Sequence, residues 1–178
     1  MPDRIGIIGS RLFPRIGMVV SVVQLLPRDC MVVSGTVPKQ KRYDGTPATL
    51  EDQGSHVDRV AIYVAKQRGL RTKVHRAEWD ILGRRAGPAR NRPLVSDSDV
   101  VLAFWDGTSP GTAGAIKIAH ELGKPLAVVS PDPASWRPDC WQFHLHRFGV
   151  AAAETMMGCL LSYLSAPADL VQLLPEEP

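Results

Sequence analysis

The stretch Ser98-Asp-Val-Val-Leu-Ala-Phe-Trp-Asp-Gly-Thr-Ser-Pro-Gly-Thr-Ala-Gly-Ala-Ile-Lys-Ile-Ala-His-Glu-Leu-Gly-Lys-Pro-Leu-Ala-Val-Val-Ser130 decides the fold. Val100 to Phe104 is a short apolar run, and Asp106 to Gly111 is a loop of small and polar residues. Thr112 to Leu122 carries apolar residues at helical spacing, and Leu126 to Val129 is a second apolar run. Strand, loop, helix and strand in that order form a crossover between parallel strands. The loop places backbone N–H groups and hydroxyls at a helix N-terminus just beyond a strand's carboxyl end, where the positive end of the helix dipole favours an anion.

The same alternation extends toward the N-terminus. Ile5-Gly-Ile-Ile8 is a strand ended by Gly9-Ser10-Arg11, and apolar residues at helical spacing follow (Ile16, Val19, Val20, Val23, Leu26). Cys30 to Val33 is a second buried strand, closed by Ser34-Gly35. Residues 36–55 are polar and basic, with Lys39, Lys41 and Arg42, and lack apolar periodicity, which predicts an inserted flap or a disordered insertion. A helix resumes at Val57 and ends at Gly69, followed by a more polar strand at Thr72 to His75. Ala77 to Asn91 reads as a loop and Arg92 to Ser96 as a short helix. The expected fold is α/β: Rossmann-like and doubly wound, a mainly parallel sheet of about five or more strands with helices on both faces.

A chain of 178 residues with 44% hydrophobic content is expected to form one domain, 1–178, with 131–178 as a C-terminal aromatic segment and helix. A net charge of +3 suits an anionic ligand but falls short of the charge density of a dedicated duplex-DNA binder. Cys30, Cys140 and Cys159 are odd in number and widely spaced, so buried thiols are expected in place of a disulfide framework. With no apolar run of membrane-spanning length, a cytoplasmic protein without a membrane partner is expected.

In a doubly wound sheet, ligands sit beyond the carboxyl ends of the strands, where the strand order reverses. Three loops leave such ends: Gly9-Ser10-Arg11, Ser34-Gly35-Thr36, and Asp106 to Thr112, the last holding Ser109, Gly111 and Thr112. Arg11 suits bidentate contact with a phosphate or carboxylate. Arg90 and Asn91, read at the start of a helix, add a guanidinium and a carboxamide. Asp106 is expected to face sugar hydroxyls, since a carboxylate aimed at phosphate would repel it.

These motifs, together with Asp58 opening a helix, Ala77-Glu-Trp79, Gly83 and Gly87-x-x-Arg90-Asn91, resemble the SLOG superfamily from Ile5 to about Val129. The resemblance is to its small bacterial and phage branch, often labelled DUF2493 and related to the YspA proteins. It implies a Rossmann-like domain that binds a nucleotide or nucleotide-derived ligand, with no cofactor or metal. Neighbours in the superfamily include the LOG phosphoribohydrolases and the DNA-processing protein DprA. The implied partner is a phosphate-bearing small molecule bound by a homo-oligomer, with DprA-like binding of single-stranded nucleic acid as an alternative.

LOG hydrolases cleave an N-glycosidic bond with the Glu of Pro-Gly-Gly-x-Gly-Thr-x-x-Glu and an Arg. Here Arg90 matches the Arg and Gly111-Thr112 the Gly-Thr, but the Glu position is Ala115. The same gap separates the chain from nucleoside 2-deoxyribosyltransferases. An N-glycosidase would need a carboxylate from elsewhere, the candidates being Asp58, Glu78 and Asp106. Binding without base release is therefore expected, and Ala115→Glu is the matching gain-of-function test. Cys140, His144 and His146 have metal-ligand chemistry but no second cluster to complete a zinc site. Trp136, Trp141, Phe143 and Phe148 suit a core or dimer seam.

Overall fold

In a computed structural model, which describes residues 4–131, the apolar runs become strands with a helix-covered layer on either side. They are β1 (Arg4–Gly9), β2 (Met31–Ser34), β3 (Arg71–Val74), β4 (Val100–Phe104) and β5 (Leu126–Val129). Their order is β3-β2-β1-β4-β5, all neighbours parallel, with Ile5 opposite Val32 on one side and Val100 on the other. The chain first builds outward from β1 through β2 to β3, then returns to the other side of β1 with β4. The order therefore reverses between β1 and β4, and the expected Rossmann-like parallel α/β fold is present.

The helices are α1 (Ile16–Leu25), α2 (Val57–Gln67), α3 (Trp79–Leu82), α4 (Ala86–Ser96) and α5 (Pro110–Glu121). Met18, Val19 and Val23 of α1 and Val60, Ala61 and Val64 of α2 join Ile5, Ile7, Val32 and Phe104 in one apolar cluster. Leu94 and Val95 of α4 and Ala115 and Ala119 of α5 cover the opposite face with Ile8, Val33, Val101 and Ala103. The valines of α1 are poor helix formers, and no side chain caps its start. Burial holds it helical, at about 1.5–3 kcal/mol for each large apolar side chain removed from water. Pro27 stops it by forcing Leu26 into an extended conformation (ψ 146°), and Arg68 donates to the freed carbonyls of Val23 (2.6 Å) and Leu26 (2.9 Å). α2 ends on Gly69 at φ 69°, with Leu70 N–H bonded to Ala65 O and Gly69 N–H to Lys66 O.

One expectation changes and a second narrows, from an inserted flap or a disordered insertion to an ordered inserted loop. The segment 77–91 is not a loop but holds α3 and the beginning of α4, which starts at Ala86. Pro88 lies in the first turn of α4, where its missing N–H costs nothing, and Pro93 is accommodated in the helix interior. The insertion 36–55 is a closed loop with its own bonding. Lys41 bridges antiparallel to Pro47, Arg42 and Thr46 pair at 2.8 Å, and buried Gln53 bonds Lys39 N–H (2.8 Å), Lys39 O (3.1 Å) and Thr49 O (2.9 Å).

Asp97, just past α4, collects Arg4 of β1 (2.8 Å), Lys73 of β3 (2.7 Å) and the His75 ring (3.0 Å). Burial pushes its carboxyl up, but Lys73, His75 and Arg4 together hold it below the ordinary carboxylate range. Among the described residues no helix is long and apolar enough to cross a membrane, and Cys30 is buried. Cys140, Cys159, His144, His146, Trp136, Trp141, Phe143, Phe148 and the expected C-terminal helix lie outside the described residues.

Candidate anion-binding site

Ser10 joins the loops at the reversal of strand order. Its N–H extends the β1–β4 pairing to Phe104 O (3.0 Å), its carbonyl accepts Val57 N–H (3.4 Å), and its hydroxyl oxygen accepts Asp106 N–H (3.3 Å). It is buried, so its part is to hold the β1, α2 and β4 loops together. Ser34 also points inward: its hydroxyl donates to Ile7 O at 2.6 Å, leaving Gly35 and Thr36 as that loop's contribution to the rim.

Asp58, in the first turn of α2, is the inner post of the site. One carboxylate oxygen accepts Gly9 N–H at 3.2 Å, and the other lies 3.5 Å from both Thr36 Oγ1 and an Arg90 guanidinium nitrogen. Burial pushes its carboxyl up from the ordinary range, and Arg90 works against that shift. The Arg90 side chain is 14% exposed and also reaches His75 O at 3.4 Å, while its buried Nε has no hydrogen-bond partner. It lies directly over Gly35, where a Cβ would coincide with the guanidinium. Only glycine lets the β2 loop and this head group approach so closely.

Around this pair the charge is one-sided. His56, immediately before α2, has its imidazole pKa lowered to about 4 by burial, with Arg59, Arg11 and Arg90 each adding repulsion. It is therefore neutral near pH 7. His56 Nδ1 and Arg59 Nε are buried without partners, as Arg90 Nε is. Neither Arg11 nor Arg59 has a carboxylate within salt-bridge distance among the described residues. Exposed Arg11 instead lies over the Trp79 ring, 5.7 Å from its centroid.

Across the Ser10 turn stands the start of α5. Asp106 braces it, one carboxylate oxygen accepting Thr108 N–H (3.0 Å) and Ser109 N–H (2.8 Å). Burial pushes that carboxyl up, but the Ser109 and Thr108 amides and the Ser10 hydroxyl hold it below its ordinary value. This oxygen faces its own loop, so the expectation that Asp106 points at sugar hydroxyls gives way to a bracing role. Ser109 precedes α5 without a side-chain cap, Pro110 has no N–H, and Thr112 Oγ1 donates to Ser109 Oγ (3.2 Å). The leading donors are thus the amides of Gly111 and Thr112, and a Cβ at Gly111 would meet nothing within 4 Å. Asn91, buried within α4, donates to Gly111 O at 3.0 Å and ties α4 to this turn.

The candidate catalytic carboxylates do not form an acid–base pair. Asp58 is enclosed, Asp106 braces a loop, and exposed Glu78 makes no side-chain hydrogen bond or salt bridge among the described residues. Ala115 faces the core beside Ile8, Val33 and Ala103. A glutamate there would bury a charge among apolar groups, so Ala115→Glu is a test of folding and not the gain-of-function test expected from the motif. His56, Arg59 and Trp79 are the site residues missed by the sequence reading. For His56 and Arg59 the one signal was position beside Asp58 at the start of α2, while Trp79 stood in the Ala77-Glu-Trp79 motif without a role assigned to it.

No family model matches the chain. A 62-residue stretch is 37% identical to the Gene 61 protein of Mycobacterium phage D29, covering 34% of this chain and 50% of that protein. Among solved structures, DprA from Streptococcus pneumoniae superposes with TM-score 0.58 at 18% identity, over 88% of this chain and 61% of that one. DprA from Helicobacter pylori, whose structure concerns its single-stranded DNA binding mode, superposes with TM-score 0.50 at 18% identity, over 90% and 81%. The likeness is one of fold. The chain spans half the length of the phage protein and about three fifths of the first DprA chain.

Proposed function

We propose that the rim binds the phosphate of a nucleotide or nucleotide-derived ligand, without cleaving it. The observation that carries this reading is the group of Arg11, Arg59 and Arg90 around a neutral His56, with Asp58 as the one carboxylate in contact among the described residues. Arg11 and Arg90 repel one another, and Arg59 and Arg90 each keep a buried Nε with no partner among the described residues, so an anion among them is stabilising. The Gly111 and Thr112 amides supply donors from the other side of the cleft. An N-glycosidase reading is less well supported, since the three candidate carboxylates are enclosed, bracing a loop, or apart from the others.

A second reading, binding of single-stranded nucleic acid, is favoured by the exposed Lys39 and Lys41 on the closed loop that follows β2 at the same rim. The DprA fold of its neighbours supports it. Calorimetry of the full chain with nucleoside monophosphates and with single-stranded oligonucleotides at several salt concentrations tests both. Saturable mononucleotide binding that Arg90→Ala removes supports the first. Oligonucleotide binding that weakens with a slope near −0.7 per contacted phosphate in log K against log salt supports the second. Binding of neither probe overturns the anion-site reading.

A further inference from the structure

Trp79 is an aromatic side chain placed where nothing in the core needs it. It opens α3, a single helical turn, and is 49% exposed, with Ile81 (77%) and Leu82 (40%) exposed beside it in sequence and Leu12 (79%) next to Arg11. Two features hold the indole. Gly87 of α4 lies beside the edge of its six-membered ring, where a Cβ would come within 3.3 Å of Cη2, and the Arg11 guanidinium rests over the ring, 5.7 Å from its centroid. The second contact is loose, at the outer limit for a cation over a ring, and Arg11 is exposed with no carboxylate in salt-bridge distance among the described residues. The Arg11 charge also acts on His56 and on Arg90, disfavouring protonation of both. One guanidinium therefore lies over a half-exposed aromatic face and carries its charge close enough to be felt at His56 and Arg90.

We propose that Trp79 is a stacking platform for an unpaired nucleobase, so that the rim recognises a base joined to a phosphate and not a bare sugar phosphate. The inference rests on the phosphate reading above and specifies its ligand. A phosphate at the arginines draws the Arg11 head group toward itself and off the indole. The ring face that Arg11 covers loosely then becomes available to the base carried by the same ligand. A base presents a π-face whatever its identity, so the platform selects for the presence of a base and discriminates little among the four.

Calorimetry of the full chain tests this with ribose 5-phosphate, the four nucleoside 5′-monophosphates and a single-stranded dodecamer as probes, on wild type, Trp79→Ala and Trp79→Phe. The wild type should bind nucleotides roughly 5- to 150-fold more tightly than ribose 5-phosphate, the range that base–aromatic stacking supplies. Trp79→Ala should erase that difference while leaving ribose 5-phosphate affinity within about twofold, and Trp79→Phe should restore most of it. Preference for the dodecamer over every mononucleotide, lost in Trp79→Ala, assigns the base to a strand; equal affinity assigns it to a free nucleotide. Nucleotides binding no better than ribose 5-phosphate, or Trp79→Ala weakening both probes alike, overturns the stacking platform and leaves the phosphate site standing. If the wild type binds none of the probes, the phosphate reading fails and the platform with it. Half exposure of Trp79 makes Trp79→Ala compatible with folding, which circular dichroism checks directly.

Discussion

Gly35→Ala should disable the site by displacing a residue it does not replace. The backbone at Gly35 passes so close beneath Arg90 that an added Cβ falls on the guanidinium, while the backbone itself is not in the left-handed region and accepts alanine. Carbon and nitrogen need about 3.5 Å of separation, so the head group must leave its positions 3.5 Å from Asp58 and 3.4 Å from His75 O. Both bonds are long, but Asp58 is buried and Arg90 is the cation that offsets its burial, so their loss should lower stability by about 1.5–3 kcal/mol. The functional loss should be of the same order. A charge-assisted contact is worth about 1.5–3 kcal/mol, so affinity for a nucleoside monophosphate should fall roughly 10- to 150-fold, as in Arg90→Ala. The double variant should bind no worse than Arg90→Ala alone, because both changes remove one interaction. Calorimetry on the four proteins completes the cycle. Additive losses, or full affinity in Gly35→Ala with weakened binding in Arg90→Ala, would refute the argument.

Other outcomes follow from the same geometry. His56 has a folded pKa of about 4 against an ordinary 6.5, so the unfolded chain binds more protons between these values, and its contribution to stability is present above pH 6.5 and declines as pH falls toward 4. Asp58, shifted upward, acts in the opposite sense, losing stability as pH rises through its folded value, so the comparison to make is the melting temperature at pH 7 and pH 5 in wild type and His56→Asn. The variant should show the smaller drop. Bound phosphate should favour protonated His56, so anion affinity should increase from pH 7 to pH 5 in wild type more than in His56→Asn, as calorimetry can show. Asp106→Ala should cost about 0.5–2 kcal/mol in urea unfolding by releasing the Thr108 and Ser109 amides. Gln53→Ala should expose the 39–49 segment to limited proteolysis while the sheet remains folded, since its three bonds close that loop.

Periodicity revealed the sheet because parallel strands buried on both faces are continuous apolar runs, as in Val100 to Phe104. The same signal was absent where order comes from individual polar side chains. Residues 36–55 have no apolar period, and their closure depends on one buried carboxamide, Gln53, and on Asp52 bonding Arg42 and Thr49. Pro88 and Pro93 concealed the start of α4 because proline is disruptive in most helix positions and harmless in the first turn. At the rim, Ser10 at the end of β1 bonds Phe104 and Asp106 at the end of β4. The inward turns of Ser34 and Ser10 and the outward placement of Trp79 are decided by packing between distant segments, which local spacing does not encode.

His75 grips α4 twice. Its backbone carbonyl takes the Arg90 guanidinium and its ring takes Asp97, just beyond the helix's last turn. The helix is thus a beam carried by two supports on one residue, and roughly 10 Å separates them at the usual rise per residue. The Arg4 and Lys73 contacts load the beam at the Asp97 support. A substitution at Asp97 should therefore shift the far end of α4, and with it the aim of the guanidinium over Gly35, although it replaces no residue of the cleft.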